Sequence, residues 1–537
     1  MNIQEQFYKL LKNGLFEINS KLNIDDFNFI ISEPRIPFNE NVEKIEYDLS
    51  TNFAMVVSKK CDLSHEEIAK IIYSYLIKCP EILKVSITSP GFINVKFKNS
   101  IYLEFVNYLS KEKRYGSNQF EKLNINNEFV SVNPTGYLHA GHARNAIVGS
   151  VLSNVMKYAG YNVTNEYYIN DAGNQINILC DSAYVRYQNL FKINSQMPEE
   201  CYKGNDIIEF AKFVKKKYDD YFLSKFDIKR LEFKKIAVDW FMNEIRKDLK
   251  KIKVSFDIFT SEKSLFERNL VLKSLDTLSN FIYEKDGAKF LQTTKFGDDK
   301  DRVLVKKDGS YTYFLSDIAY HLDKAKRADK LINVWGADHS GYIKRIENSL
   351  IMNNFNSDNF HVVIIQLVRL IKDGKEFKMS KRNGTSLTIR DLLEYVSIDA
   401  LRYNLSSRDS NTKMDLDIDQ IEEMDENNPV FIIKDTYKKL NNLILNNIKP
   451  KLDEKYKFNK KEIDLIIELS SFKNIIKTIT KTYKIQLLPQ YVVKICNLFN
   501  SIINLENYEI NNKRILIFKS FKNILFNSLK LLEISTN

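Results

Sequence analysis

The segment Glu128 to Arg144, Glu-Phe-Val-Ser-Val-Asn-Pro-Thr-Gly-Tyr-Leu-His-Ala-Gly-His-Ala-Arg, constrains the fold more than any other stretch of the chain. A β-rich run, Phe129 to Val132, ends in a turn at Asn133-Pro-Thr-Gly136. His139-Ala-Gly-His142 follows, and alanines and aliphatics continue to about Tyr158, so the His pair opens a helix. Strand, tight turn and helix N-terminus in succession make an anion site, because the first N–H groups of a helix have no partner within it. From about Phe129 to Asp399, short apolar runs such as Leu331–Trp335 and His361–Leu367 alternate with helical patterns. This alternation predicts an α/β, Rossmann-type doubly wound catalytic domain over residues 120–396. The charged helical residues 180–255 read as an insertion between the two halves of its sheet.

On either side the pattern changes. Residues 1–112 read as a small α+β domain. Met1–Ile18 and His65–Lys78 have helical periodicity, Lys44–Val57 and Val85–Phe97 alternate as strands, and Ser89-Pro-Gly91 marks a turn. Lys111–Gly116 reads as a linker. Residues 397–537 read as an all-α domain, with amphipathic stretches at Phe431–Leu445, Ile463–Ile479, Val492–Leu505 and Ile515–Leu532. A chain of 537 residues exceeds one hydrophobic core, which agrees with three domains. The net charge of +11 is concentrated: residues 430–537 hold 19 Lys and Arg against 9 Asp and Glu, or +10. A basic helical domain on a nearly neutral body suggests a polyanionic partner. The five cysteines are scattered without a Cys-x-x-Cys, which argues against structural zinc and fits a reducing cytoplasm. No run approaches the ~20 apolar residues of a membrane span.

Further motifs carry chemistry. Lys378-Met379-Ser380-Lys381 lies between Asp373-Gly374 and Asn383-Gly384, as a mobile cationic phosphate clamp would. Leu331–Trp335 is followed by Gly336-Ala-Asp338-His339. At a strand C-terminus, Gly336 lets a nucleoside pack on bare backbone and Asp338 can bond a ribose. The alternative reading of Asp338, as a helix cap in a βα turn, is the weaker of the two. Tyr313 and Asp317 are four apart, so in one helix they share a face suited to a planar guanidinium. Read alone, Asp317 near a helix start is more often a cap.

His-x-Gly-His early and Lys-Met-Ser-Lys late, in this order, resemble the class I aminoacyl-tRNA synthetases. Glu128–Arg144, Tyr167–Gln175, Asp257–Glu262, Lys285–Ala288, Gly297–Arg302, Tyr311–His321, Trp335–His339 and Lys378–Gly384 resemble the arginyl-tRNA synthetases more narrowly. The resemblance implies ATP, with Mg2+ on its phosphates, L-arginine and tRNA(Arg) as partners, no protein-held metal, no membrane, and a cytoplasmic monomer. It implies that the N-terminal domain is the family's additional tRNA-binding domain and the C-terminal domain its anticodon-binding domain. It assigns catalysis to His139, His142, Lys378 and Lys381, and ATP binding to Gly141, Gly336, Asp338, Met379 and Ser380. Arginine binding falls to Glu128, Asn133, Glu262, Tyr313, Asp317 and His339.

The resemblance has departures. Many relatives carry Gln at the place of His339. Some have a lysine three residues before the first signature His and lack the second loop lysine; here that place is Gly136 and Lys381 is present. After Asn428-Pro-Val-Phe431 the chain continues Ile-Ile-Lys-Asp-Thr-Tyr-Lys-Lys rather than with the Tyr, Gln, Ala, His and Arg of many relatives, and it lacks their Met-bearing tail. Two alternatives stay open at this point: a class I synthetase for another amino acid, and a noncatalytic tRNA-binding paralogue.

Overall fold

The computed structural model describes residues 2–34, 47–377, 387–445, 456–505 and 514–536. At its centre is a five-stranded parallel sheet: β1 (Asn124–Glu128), β2 (Asn162–Ile169), β3 (Ile258–Ser261), β4 (Lys330–Gly336) and β5 (Phe360–Ile365). Their spatial order is β5-β4-β1-β2-β3. The chain winds outward from β1 through β2 and β3, then returns to the other side of β1 for β4 and β5. The reversal opens a crevice beyond the C-terminal ends of β1 and β4, where ligands of doubly wound sheets bind.

β1 ends earlier than the sequence suggests. The expected strand Phe129–Val132 is irregular, because Val130 and Ser131 hold left-handed backbone with φ of 67° and 46°. For β-branched Val130 this conformation is strained. Two neighbours oppose the strain: the Val130 N–H donates to Asn145 Oδ1 at 2.7 Å, and the Tyr168 N–H donates to Ser131 Oγ at 3.1 Å. β4 and β5 form where Leu331–Trp335 and His361–Leu367 predict them.

Helix α1 (Ala140–Ala159) joins β1 to β2 and is buried along most of its length, including Ala143, Ile147, Val151 and Val155. A Cβ on Gly149 would stand 2.3 Å from the Phe129 ring, so only glycine lets the chain leaving β1 lie this close to the helix. Arg144, fully buried, donates to the carbonyls of Gln366, Asp409 and Thr412 at 2.7–3.0 Å. It thereby pins the chain beyond β5 to α1. Helices Asn174–Asn189, Asn205–Tyr218 and Phe226–Lys251 form the insertion, with a core of their own around Phe210 and Phe233.

In the N-terminal unit, helices Ile3–Ile18 and His65–Leu76 accompany an antiparallel sheet of Ile31–Ser32, Leu49–Thr51, Phe92–Phe97 and Ile82–Thr88. Of the expected strand Lys44–Val57, residues 44–46 lie outside the described residues and only Leu49–Thr51 is extended. Phe53–Val57 is helical, burying Phe53, Ala54 and Val57 at helical rather than alternating spacing. The expected linker Lys111–Gly116 is packed at its end: Tyr115 is buried and donates its hydroxyl to the Ser470 carbonyl at 2.8 Å.

The four C-terminal amphipathic stretches are helices Pro429–Leu445, Lys460–Thr482, Leu487–Ile503 and Arg514–Leu532. Helical structure does not run unbroken from Ser397, because Met414–Asp417 is a strand paired in parallel with Val368–Lys372. These helices share one continuous core with α1 and the N-terminal unit. Arg402 reinforces that junction, donating to the carbonyls of Leu532 and Ile252 at 2.6 and 2.7 Å. Among the described residues no helix is long and apolar enough to cross a membrane.

Candidate active site

The crevice at the switch point is a cleft of about 900 Å3. Its lining includes Glu128, Asn133, His139, Gly141, His142, Tyr313, Asp317, Gly336, Asp338 and His339. Ten of the sequence-derived site residues, drawn from three separate segments, therefore meet on one surface. Glu262 does not line the cleft; it is buried at the first turn of helix Glu262–Glu267. Lys378, Met379, Ser380 and Lys381 lie outside the described residues.

His139 is the N-cap of α1 and His142 stands in its first turn. Their rings stack with centroids 3.4 Å apart. A Cβ on Gly141 would stand 3.0 Å from His139 Nδ1, so the glycine leaves the room in which that ring folds over the helix end. Burial lowers the pKa of both, that of His142 to about 3, with the neighbouring His139 adding to the effect. Both are neutral imidazoles at ordinary pH. Each keeps one N–H to donate without adding a positive charge. Among the described residues, His142 Nδ1 is buried with no hydrogen-bond partner.

The chain beyond the Lys-Met-Ser-Lys segment is anchored against this helix start. The Ala140 N–H donates to the Leu387 carbonyl and the Ile389 N–H to the Leu138 carbonyl, each at 2.8 Å. Arg390 lies over the Tyr137 ring at 4.0 Å and pairs with Glu244 and Asp248 of the insertion. The His signature, the loop exit and the insertion therefore meet at one cluster.

The other half of the cleft is acidic. Tyr313 is the first residue of helix α2 (Tyr313–Ala325), and Asp317 lies one turn on, so Asp317 is not a cap. Tyr313 is exposed at the rim, where a Cβ on Gly173 would stand 3.0 Å from its hydroxyl. Burial raises the Asp317 carboxyl to about 8, assisted by Glu262 and Glu128 and opposed by Lys324. Burial likewise raises the Glu262 carboxyl. Among the described residues, Glu262 Oε2 and the hydroxyls of Tyr168 and Tyr320 are buried without hydrogen-bond partners. Buried carboxylates with spare acceptors are costly unless a cation rich in N–H donors meets them.

The remaining residues have definite neighbours. Glu128, the last residue of β1, pairs with the buried Lys324 at 2.5 Å. Asn133 donates to the Gln175 side-chain carbonyl. Asp338 and His339 form an exposed pair 3.4 Å apart on the rim. A Cβ on Gly336 would fall 2.5 Å from Asp338 Oδ1, so a side chain there would displace the exposed Asp338 carboxylate. Sequence reasoning missed Lys324, Asn333, Tyr168 and Tyr320, and left His321 without a role. The available signal was a lysine seven residues after Asp317, on the same otherwise apolar helix face.

A parallel sheet in this order, with neutral histidines at the first crossover helix and an acidic pocket across the switch point, has the build of a class I aminoacyl-tRNA synthetase. The family model "tRNA synthetases class I (R), catalytic domain" matches residues 104–447. The models for the arginyl-tRNA synthetase N-terminal domain and the DALR anticodon-binding domain match 9–97 and 433–537. A protein named arginine–tRNA ligase from Metamycoplasma arthritidis is 40% identical, over 92% of this chain and 97% of its own length. One of the same name from Mesoplasma florum is 39% identical, over 93% and 92%. The solved Thermus thermophilus arginyl-tRNA synthetase superposes with a TM-score of 0.76 at 14% identity, over 99% of both chains, which shows the shared fold. The chain belongs to the arginyl-tRNA synthetase family.

Proposed function

We infer that the chain ligates L-arginine to tRNA(Arg). The arginine carboxylate attacks the α-phosphorus of ATP, and the bond to the departing pyrophosphate breaks. A ribose hydroxyl of the terminal adenosine of the tRNA then attacks the arginyl carbonyl carbon, and AMP leaves. Mg2+ arrives on the ATP phosphates. His139 and His142 donate to the phosphate oxygens as negative charge spreads over them. Lys378 and Lys381 meet the β- and γ-phosphates, with Met379 and Ser380 shaping the same segment. Gly141, Gly336 and Asp338 receive the nucleoside. Asp317 and Tyr313 face the guanidinium, with Glu262 adding negative charge behind Asp317. Asn133 and His339 take the α-amino end, and Glu128 belongs to the same pocket.

The observation that carries this reading is the pairing, in one cleft, of neutral imidazole donors with carboxylates lacking a ligand-side cation. A noncatalytic tRNA binder has no use for either. The partner RNA is accommodated by the N-terminal unit, residues 1–112, and the basic helical part, 397–537. A groove of about 750 Å3 where they meet is lined by Lys113, Arg114, Lys157, Lys519, Lys522 and Lys530. The enzyme acts in the cytoplasm as a monomer. Pyrophosphate exchange with each of the twenty amino acids, with and without tRNA, tests the assignment. Exchange with arginine alone among them is expected; exchange with another amino acid, or with none, overturns it.

A further inference from the structure

Beneath the acidic half of the cleft runs a buried polar chain with no assigned role. Lys324 lies seven residues after Asp317 on the same face of α2, and its side chain is wholly buried. Its ammonium meets three groups: Glu128 Oε2 at 2.5 Å, Asn333 Oδ1 at 3.0 Å and the Tyr320 ring at 4.4 Å. With Asn333 Oδ1 turned to the ammonium, its Nδ2 faces His321 Nε2 at 2.7 Å. His321 Nε2 is therefore the acceptor. The ring proton sits on Nδ1 and is donated to the Asp317 carbonyl at 2.8 Å. At the other end, Glu128 Oε1 accepts from Ser131 Oγ at 3.1 Å, in the strained turn after β1. One chain of hydrogen bonds thus joins the helix turn carrying Asp317 to β4 and to the end of β1.

The charges in this chain are uneven. Glu128, Glu262 and Asp317 contribute three carboxyls, and Lys324 is the cation set against them. Tyr168, Tyr313 and Tyr320 stand among them without charge, and Asp171 adds a further carboxylate beside Glu262. An ammonium at 2.5 Å from Glu128 engages that carboxylate before any substrate arrives.

We propose that Lys324 is a positioning residue of the arginine pocket: its ammonium neutralises Glu128 and, through Asn333 and His321, holds the turn of Asp317, leaving Asp317 and Glu262 as the carboxyls free to pair with a guanidinium. The proposal rests on the functional reading above and refines the part of Glu128, which orders the pocket through Lys324. Removing either member of the pair is harmful in a specific way. Without Lys324, Glu128 is an uncompensated buried carboxylate that takes up a proton or competes for the guanidinium. Without the Glu128 charge, the Lys324 ammonium is left free to neutralise Asp317 and repel the substrate. Removing both charges restores the balance.

The test is a double-mutant cycle on the full chain, read by arginine-dependent pyrophosphate exchange with tRNA present. Lys324→Met and Glu128→Gln are each expected to raise the arginine KM roughly tenfold or more, with the ATP KM unchanged and kcat within about threefold. The double variant is expected to have an arginine KM at least roughly threefold lower than that of the worse single variant. A purely structural role predicts instead that the double variant is as poor as the worse single. That result, or an unchanged arginine KM in Glu128→Gln, overturns the proposal. Should Lys324→Met alone fail to fold, Glu128→Gln against the double variant gives the same decision. Failure of the functional reading shows separately, as absent arginine exchange in the unaltered chain.

Discussion

The two halves of the cleft solve opposite electrostatic problems. On the proposed nucleotide side, burial holds His139 and His142 neutral, and Gly141 and Gly336 leave bare backbone on the cleft wall. On the proposed arginine side, burial raises the Asp317 and Glu262 carboxyls, so their full negative charge develops only when a cation meets them. Stabilising a transient anion needs oriented donors, whose effect grows as water is excluded. Selecting a permanent cation needs carboxyls that ionise against it where water does not screen the pair. The same low-dielectric cleft serves both because its two sides are built from different elements.

The comparison breaks most visibly at Asp317. Asp317→Asn keeps the shape but turns an acceptor into a donor aimed at a donor. It is expected to raise the arginine KM roughly 10²- to 10³-fold, the scale of breaking a buried ion pair, and to leave the ATP KM unchanged. Steady-state exchange kinetics measure both, and an unchanged arginine KM would remove Asp317 from the pocket. His142→Ala probes the other half. It is expected to lower kcat for exchange roughly 10²-fold, the usual loss for one transition-state donor, with little change in the arginine KM. Single-turnover adenylate formation at the unaltered rate would contradict it.

A smaller effect separates the halves by pH. Asp317 titrates near 8 in the free protein, and a bound guanidinium lowers that value because it favours the carboxylate. Below 8, arginine binding must displace a proton, so affinity falls as pH falls and levels off above 8. From pH 8 to pH 7 the loss is roughly fivefold. Calorimetric titration with arginine checks the sign; affinity rising toward pH 7 would refute it. The histidines contribute nothing in this window, since both are already neutral. The smallest effect lies outside the cleft. Exchanging Lys519, Lys522 and Lys530 for alanine is expected to weaken tRNA binding a few-fold. It should also reduce the salt slope by roughly one for each lysine that meets a phosphate. Both substrate KM values should stay unchanged, and an unaltered slope would take the basic groove out of the RNA interface. Point substitutions are needed there, because helices 429–532 share their core with α1 and cannot be removed alone.

The nucleotide half was legible in the chain because its parts are contiguous: β1, the turn, His139-Ala-Gly-His142 and α1 follow one another within forty residues. Helix periodicity likewise placed α1 and the four C-terminal helices, whereas α2 was only a condition for Tyr313 and Asp317 to share a face. It misjudged Phe53–Val57 and Phe129–Val132, where β-branched and aromatic residues favour extension but tertiary packing sets the backbone. At Phe53–Val57, burial of Phe53, Ala54 and Val57 required a helix. At Val130 and Ser131, side-chain and backbone partners from α1 and β2 hold a left-handed turn that no local preference supports.

By itself, then, the sequence determined the architecture and the anion site at the start of α1, because each is written in local periodicity or a contiguous motif, whereas the acidic pocket was implied only by the family resemblance. Which carboxylates remain available for arginine was decided only in the folded molecule. Residues 128, 317, 321, 324 and 333 are nearly featureless as separate letters. They become a charge-balanced unit when β1, β4 and α2 come together, because in a buried site the partner within 3 Å, and not the residue type, sets which group stays free to bind.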